Sequence, residues 1–93
     1  MTKKSMNSQL DYLDQVAKQI ARGEFHAYGP LSSGERAYAA LAANRSDLLQ
    51  EDGYTIAQAL DRLGEEWLLE LLQRWRYVDH YQLKEAPARP SAN

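Results

Sequence analysis

The chain has 93 residues, 44% of them hydrophobic and 26% charged, with a mean hydropathy of -0.64 and a net charge of -2. That composition describes one small globular domain with a hydrated surface, too short for two cores and too acidic for binding that rests on neutralising many phosphates. There is no cysteine, which removes disulfides, thiolate metal sites and cysteine nucleophiles and makes a reducing cytoplasm the expected compartment. No apolar run reaches the roughly 20 residues that span a bilayer, and the opening MTKKSMNSQL lacks the apolar stretch of a signal peptide.

Residues 1–7 are expected to form a flexible lead, and a single helical domain is expected over 8–85. Leu10, Leu13, Val16, Ala17, Ile20 and Ala21 recur at three-and-four spacing, which predicts an amphipathic helix over 8–22. Asn7 or Ser8 is placed to cap it and Gly23 to stop it. Asp11, Asp14, Gln15, Lys18 and Gln19 fall away from the stripe on this reading, with Asp14 and Lys18 one turn apart as a favourable pair.

The connection GEFHAYGP carries Phe25 and Tyr28 as aromatic anchors and closes on a Gly-Pro turn signal. Ser32, with Glu35 three residues on, has the spacing of a capping box, in which each side chain bonds a backbone N–H that the first helical turn leaves open. The body ERAYAALAAN is rich in alanine, which favours helix and lets neighbours approach closely. A second helix over 33–44 is therefore predicted in the middle of the bundle, with Tyr38 and Leu41 filling gaps and Asn44 ending it. A short helical turn near 46–51, capped by Ser46, would carry Leu48 and Leu49 inward.

Asp52-Gly53 reads as a turn, and Thr55 with Gln58 repeats the capping-box spacing. The next helix, 55–63, puts Ile56, Ala59, Leu60 and Leu63 on one face and ends at Gly64. A further helix over 65–78 opens with acids and closes with Arg74 and Arg76, each sign complementing the helix dipole. Its stripe of Trp67, Leu68, Leu71, Leu72, Trp75 and Val78 is the heaviest apolar element and is expected to be the axis of the core. Residues 86–93, with two prolines and no large apolar residue, are expected to be a disordered tail. The fold class is thus all-α, a small single-domain bundle of about four helices plus a short helical turn.

Charge is distributed in blocks. Residues 47–70 hold seven acids against one base, a net of -6, whereas residues 1–46 and 71–93 are each at +2. The acids Asp61, Glu65, Glu66 and Glu70 would form a ridge around Gly64, and Arg74, Arg76 and Tyr77 an arginine and aromatic end. These seven are the candidate partner-binding residues.

A helix-turn-helix reading of residues 54–77 fails on its own pattern. That motif wants a small residue ahead of the turn glycine and apolar residues behind it to seat the recognition helix, and those places hold Leu60, Glu70 and Gln73. Glu65, Glu66 and Glu70 would also face phosphates. The lead GPLSSGER lacks the glycine and lysine spacing of a phosphate loop, and Glu35 already occupies the helix start as a cap. His26 and His80 have no recognised metal spacing with Glu24 or Asp79, nor a nucleophile arrangement with Ser32 or Ser33. No catalytic residue, cofactor or metal is therefore assigned. The expected function is a noncatalytic protein-interaction module, an accessory factor or inhibitor, with a DNA-binding regulator using the 55–78 hairpin as the alternative. Self-association is also open, since a homodimer would bury leftover aromatic surface; no membrane contact is expected.

Overall fold

The computed structural model describes residues 3–78, with side chains from residue 8 onward. The chain is all-α, running α1 (Lys3–Ala21), α2 (Ser33–Ala42), α3 (Ser46–Glu51) and α4 (Ile56–Trp75). His80, Tyr81, Asp79 and the tail 86–93 lie outside the described residues, as does the question of helix beyond 78. Helix α1 starts at Lys3, five residues ahead of the expected start at 8, so positions 7 and 8 lie inside the helix and do not cap it. Its buried face, Leu10, Leu13, Val16, Ala17, Ile20 and Ala21, is the one the spacing marks.

Three helices end in the same way. The residue two beyond the last helical position adopts positive φ at Gly23 (88°), Asn44 (61°) and Gly53 (88°). The next residue then donates its N–H back across the turn: Glu24 to the Gln19 carbonyl at 2.8 Å, Arg45 to Ala40 at 2.9 Å and Tyr54 to Leu49 at 2.9 Å. Each is a Schellman closure, which satisfies carbonyls that the helix leaves open and reverses the chain. At the other ends, both capping boxes form. Ser32 and Glu35 exchange bonds of 2.9 and 3.3 Å, and Thr55 and Gln58 bonds of 3.0 and 3.1 Å. Helix α3 corrects one expectation, because Ser46 is its first residue and its cap position falls to Arg45, which makes no side-chain cap bond. Arg45 instead pairs with Asp47 at 2.8 Å.

The axis of the core is α2, and the expectation that residues 65–78 would supply it is corrected. Ala37, Ala39, Ala40 and Ala42 are at most 1% exposed and Tyr38 is fully buried, so α2 is covered on almost every side. Helices α1, α3 and α4 all pack against it. Methyl-sized side chains make that possible, since a larger residue would hold at least one neighbour away. Residues 65–75 cannot serve as the axis because Leu69 and Leu72 point outward, at 58% and 46% exposed.

Helix α4 is bent at Gly64, whose φ of 83° and ψ of 163° leave the helical region. Side chains with a Cβ are almost excluded from that conformation. The glycine thus divides α4 into limbs 56–63 and 65–75, as its position in the sequence predicts.

A candidate interaction surface on the second limb of helix α4

The inner side of residues 65–75 is fastened by a polar clasp. Asp14 of α1 accepts from the Tyr38 hydroxyl at 2.8 Å and from Trp75 Nε1 at 2.7 Å, both on Oδ1, while its Oδ2 accepts from Arg74 Nη1 at 2.7 Å. Arg74 also donates to Asp11 at 2.8 Å and to Glu70 at 3.0 Å. The Asp14 and Arg74 side chains are 18% and 17% exposed, so this pairing is partly desolvated. Burial works to lower the Arg74 pKa, but bonds to Asp14, Asp11 and Glu70 outweigh it and hold the guanidinium above its ordinary value. The Tyr38 hydroxyl is pushed upward by burial and by its bond to Asp14. Apolar contact backs the clasp: Leu71 and Trp75 are buried, and the Trp67 ring meets the Tyr38 ring edge-on at 5.8 Å.

Among the described residues, no Cα of α1 comes within 8 Å of a Cα of α4. The clasp is therefore a bridge of side chains between two helices that each pack on α2. Sequence reading assigned Asp14 to the solvent side and paired it with Lys18, and both assignments are corrected. Asp14 lies four residues after the buried Leu10 and three before the buried Ala17, which puts it on the edge of the apolar stripe. A carboxylate at such a place needs buried donors, and the chain supplies them in Tyr38, Arg74 and Trp75.

A second clasp fixes the loop ahead of α2. Asp52 accepts from Arg36 through both carboxylate oxygens and from the Tyr28 hydroxyl at 3.2 Å. Arg36 also lies 5.1 Å from the Tyr28 ring centre and donates to the Gly29 carbonyl. The hydrogen bonds from Arg36 hold Asp52 below the usual carboxylate range against the opposing effect of burial. Burial, with Asp52 adding to it, pushes the Tyr28 hydroxyl up to about 12. At the α2 start, the Glu35 carboxylate accepts the Ser32 N–H and a bond from Gln9 at 2.7 Å, while Arg62 donates to Ser33 Oγ at 2.9 Å. The Ser32 and Glu35 N–H groups, which would meet an anion there, are taken by each other's side chains.

These pairings redraw the acidic block. Asp47, Asp52 and Glu70 are matched by Arg45, Arg36 and Arg74, all lying outside the block in sequence. Glu51, Asp61, Glu65 and Glu66 remain exposed. Among the seven candidate residues, Glu70 and Arg74 turn inward to each other, and Asp61 sits exposed on the first limb. Glu65 and Glu66 are exposed at the start of the second limb, and Arg76 and Tyr77 are exposed just past its end, with Tyr77 88% exposed and Arg76 5.6 Å from its ring centre. Sequence reading missed what lies between them, the exposed Leu69 and Leu72. The apolar stripe in the sequence puts Leu72 in the core, which its exposure corrects, and does not include Leu69.

His26 is exposed, and among the described residues no group of three or more His, Asp and Glu is arranged to hold a metal ion. No helix among them is long and apolar enough to cross a membrane. No protein-family model, curated protein or solved structure matches the chain.

Proposed function

We propose that the protein is a noncatalytic interaction module, an accessory factor or inhibitor in the cytoplasm, that binds a protein partner through the outward face of residues 65–77. One observation carries this reading. Leu69 and Leu72 are exposed side by side on a helix whose opposite side is fully committed to the core, between Glu65 and Glu66 at one end and Arg76 and Tyr77 at the other. Isolated exposed leucines are ordinary. Two adjacent ones with charged ends of opposite sign form an apolar centre and polar rim, the layout of a small protein interface. The acidic ridge and the arginine and aromatic end, separate alternatives in the sequence, become two ends of one surface. Arg74, a contact that the DNA-binding alternative would use, is engaged by three carboxylates instead.

The test is capture by the immobilised chain, comparing wild type with a Leu69→Ser, Leu72→Ser double variant whose far-UV circular dichroism matches wild type. The expected result is a captured protein, identified by mass spectrometry, that the double variant loses at least tenfold. A partner retained equally by the double variant and by Glu65→Arg would reject this surface.

A further inference from the structure

The outward face has an internal symmetry that names its occupant. Glu65, Leu69, Leu72 and Arg76 are spaced four, three and four residues apart, and at about 100° per residue they fall within an arc of about 60° on the helix. All four are exposed. The spacing is the same read from either end, with an acid at one terminus and a base at the other. If a second identical helix is laid antiparallel across this face, with a two-fold axis between Glu70 and Leu71, Leu69 meets Leu72 of the second copy and Glu65 meets its Arg76. Every contact is repeated by symmetry, as an isologous interface requires. A parallel arrangement in register would set Glu65 against Glu65 and Arg76 against Arg76.

From this complementarity, and resting on the reading of the face as an interaction surface, we propose that residues 65–76 form the interface of an antiparallel homodimer. Two leucines three residues apart, flanked four residues away on each side by a charged residue, form a narrow stripe along one side of the helix, which suits two helices packed at a shallow crossing angle. The opposite charges at its ends select the antiparallel orientation and disfavour the parallel one. The apolar centre is two leucines per copy, and Tyr77 beside Arg76 adds aromatic area at each end. Glu65 to Arg76 spans about 16 Å of helix, so the contact lies below the roughly 1,200 Å² of a standard specific interface. The dimer is consequently weak and reversible, populated in the high-micromolar range.

Sedimentation equilibrium over roughly 10 µM to 1 mM reads the association. Wild type is expected to dimerise, and Leu69→Ser with Leu72→Ser to weaken this at least tenfold. Glu65→Arg alone and Arg76→Glu alone each create two like-charge contacts and weaken it about threefold to tenfold. The variant carrying both reversals restores the opposite pairs and returns to within about threefold of wild type. An equimolar mixture of the two single variants forms a heterodimer tighter than either homodimer. Far-UV circular dichroism reports folding of each variant. Wild type that stays monomeric throughout overturns the proposal, as does a double reversal no better than the single ones. If wild type is monomeric yet the double serine variant loses capture of a different protein, the second copy is rejected while the interaction reading stands. If wild type is monomeric and captures nothing through Leu69 and Leu72, both fall.

Discussion

Asp14→Ala is expected to be among the most destabilising single changes in the chain. It removes the acceptor used by the Tyr38 hydroxyl and the Trp75 indole, on residues 0% and 7% exposed, and one of three carboxylates around Arg74. Taking the acceptor from a buried donor costs about 1–3 kcal/mol. Arg74 keeps Asp11 and Glu70, so its share adds little. The Asp14 side chain is itself 18% exposed, so water can enter and the sum falls at the lower end, about 2–4 kcal/mol. Against a total stability of about 5–15 kcal/mol this is a large fraction, and it corresponds to a drop in Tm of roughly 10–25 °C. Asp14→Asn keeps an oxygen for both donors but turns an amide toward Arg74, and should cost about 1–2 kcal/mol. Guanidinium denaturation followed by tryptophan fluorescence is a direct assay, because both tryptophans lie in α4 and pack on the core. A loss below about 0.5 kcal/mol for Asp14→Ala, the range of ordinary surface substitutions, would refute the clasp. So would full additivity of Asp14→Ala with Tyr38→Phe, since bonded partners must couple.

The two glycines on either side of the Arg62 contact should respond oppositely to alanine. Gly64→Ala meets no atom within 4 Å but must hold a φ of 83°, a backbone strain of about 1–3 kcal/mol. Gly34→Ala, in the first turn of α2, would place its Cβ an ordinary 3.7 Å from Arg62 and gain about 0.4–1 kcal/mol; thermal melts decide both signs. Asp52 and Glu35 have folded pKa values below their ordinary 3.8 and 4.5, so their stabilisation is present above those values and is lost as pH falls through the folded ones. Asp52→Asn should accordingly flatten the acid side of a plot of denaturation midpoint against pH, and an unchanged acid side would count against the Arg36 pairing. Tyr28 shows the reverse case. Its stabilisation is complete below the ordinary 10.0 and is lost as pH rises toward about 12, so Tyr28→Phe should flatten part of the alkaline side of the same plot.

Most features encoded within a few residues were legible from sequence, the caps expected at Ser46 and at Asn7 or Ser8 excepted. The boxes at Ser32 and Thr55 and the stops at Gly23, Asn44 and Gly53 each depend on a local backbone conformation and a side chain no more than three residues away. What escaped depends on partners far along the chain. Asp14 and Arg74 are 60 residues apart, and Asp52 and Arg36 are 16 apart; no periodicity relates them. The acidic block looked unbalanced because its edges fall between bonded partners: Arg45 and Arg74 stand just outside it, two and four residues from Asp47 and Glu70, and Arg36 stands 16 residues before Asp52. Helix 65–75 was misjudged because its apolar residues occupy more than one face. Counting them marked it as the centre, whereas the alanines of α2, poor in area, are what admit three neighbours.

The Asp14 clasp also sets the rotational phase of the second limb. A helix turned by one residue about its axis swings every side chain through about 100°, and here that would set Leu72 where Leu71 packs and Trp75 where Arg74 sits. Greasy contacts tolerate such slippage, because leucine for leucine is a near-equal exchange. The indole N–H and the guanidinium do not, since each has a direction and only one phase aims both at the same carboxylate. The carboxylate on α1 thus works as an index pin, and which residues of α4 the protein shows to the outside is decided from the inside, on another helix.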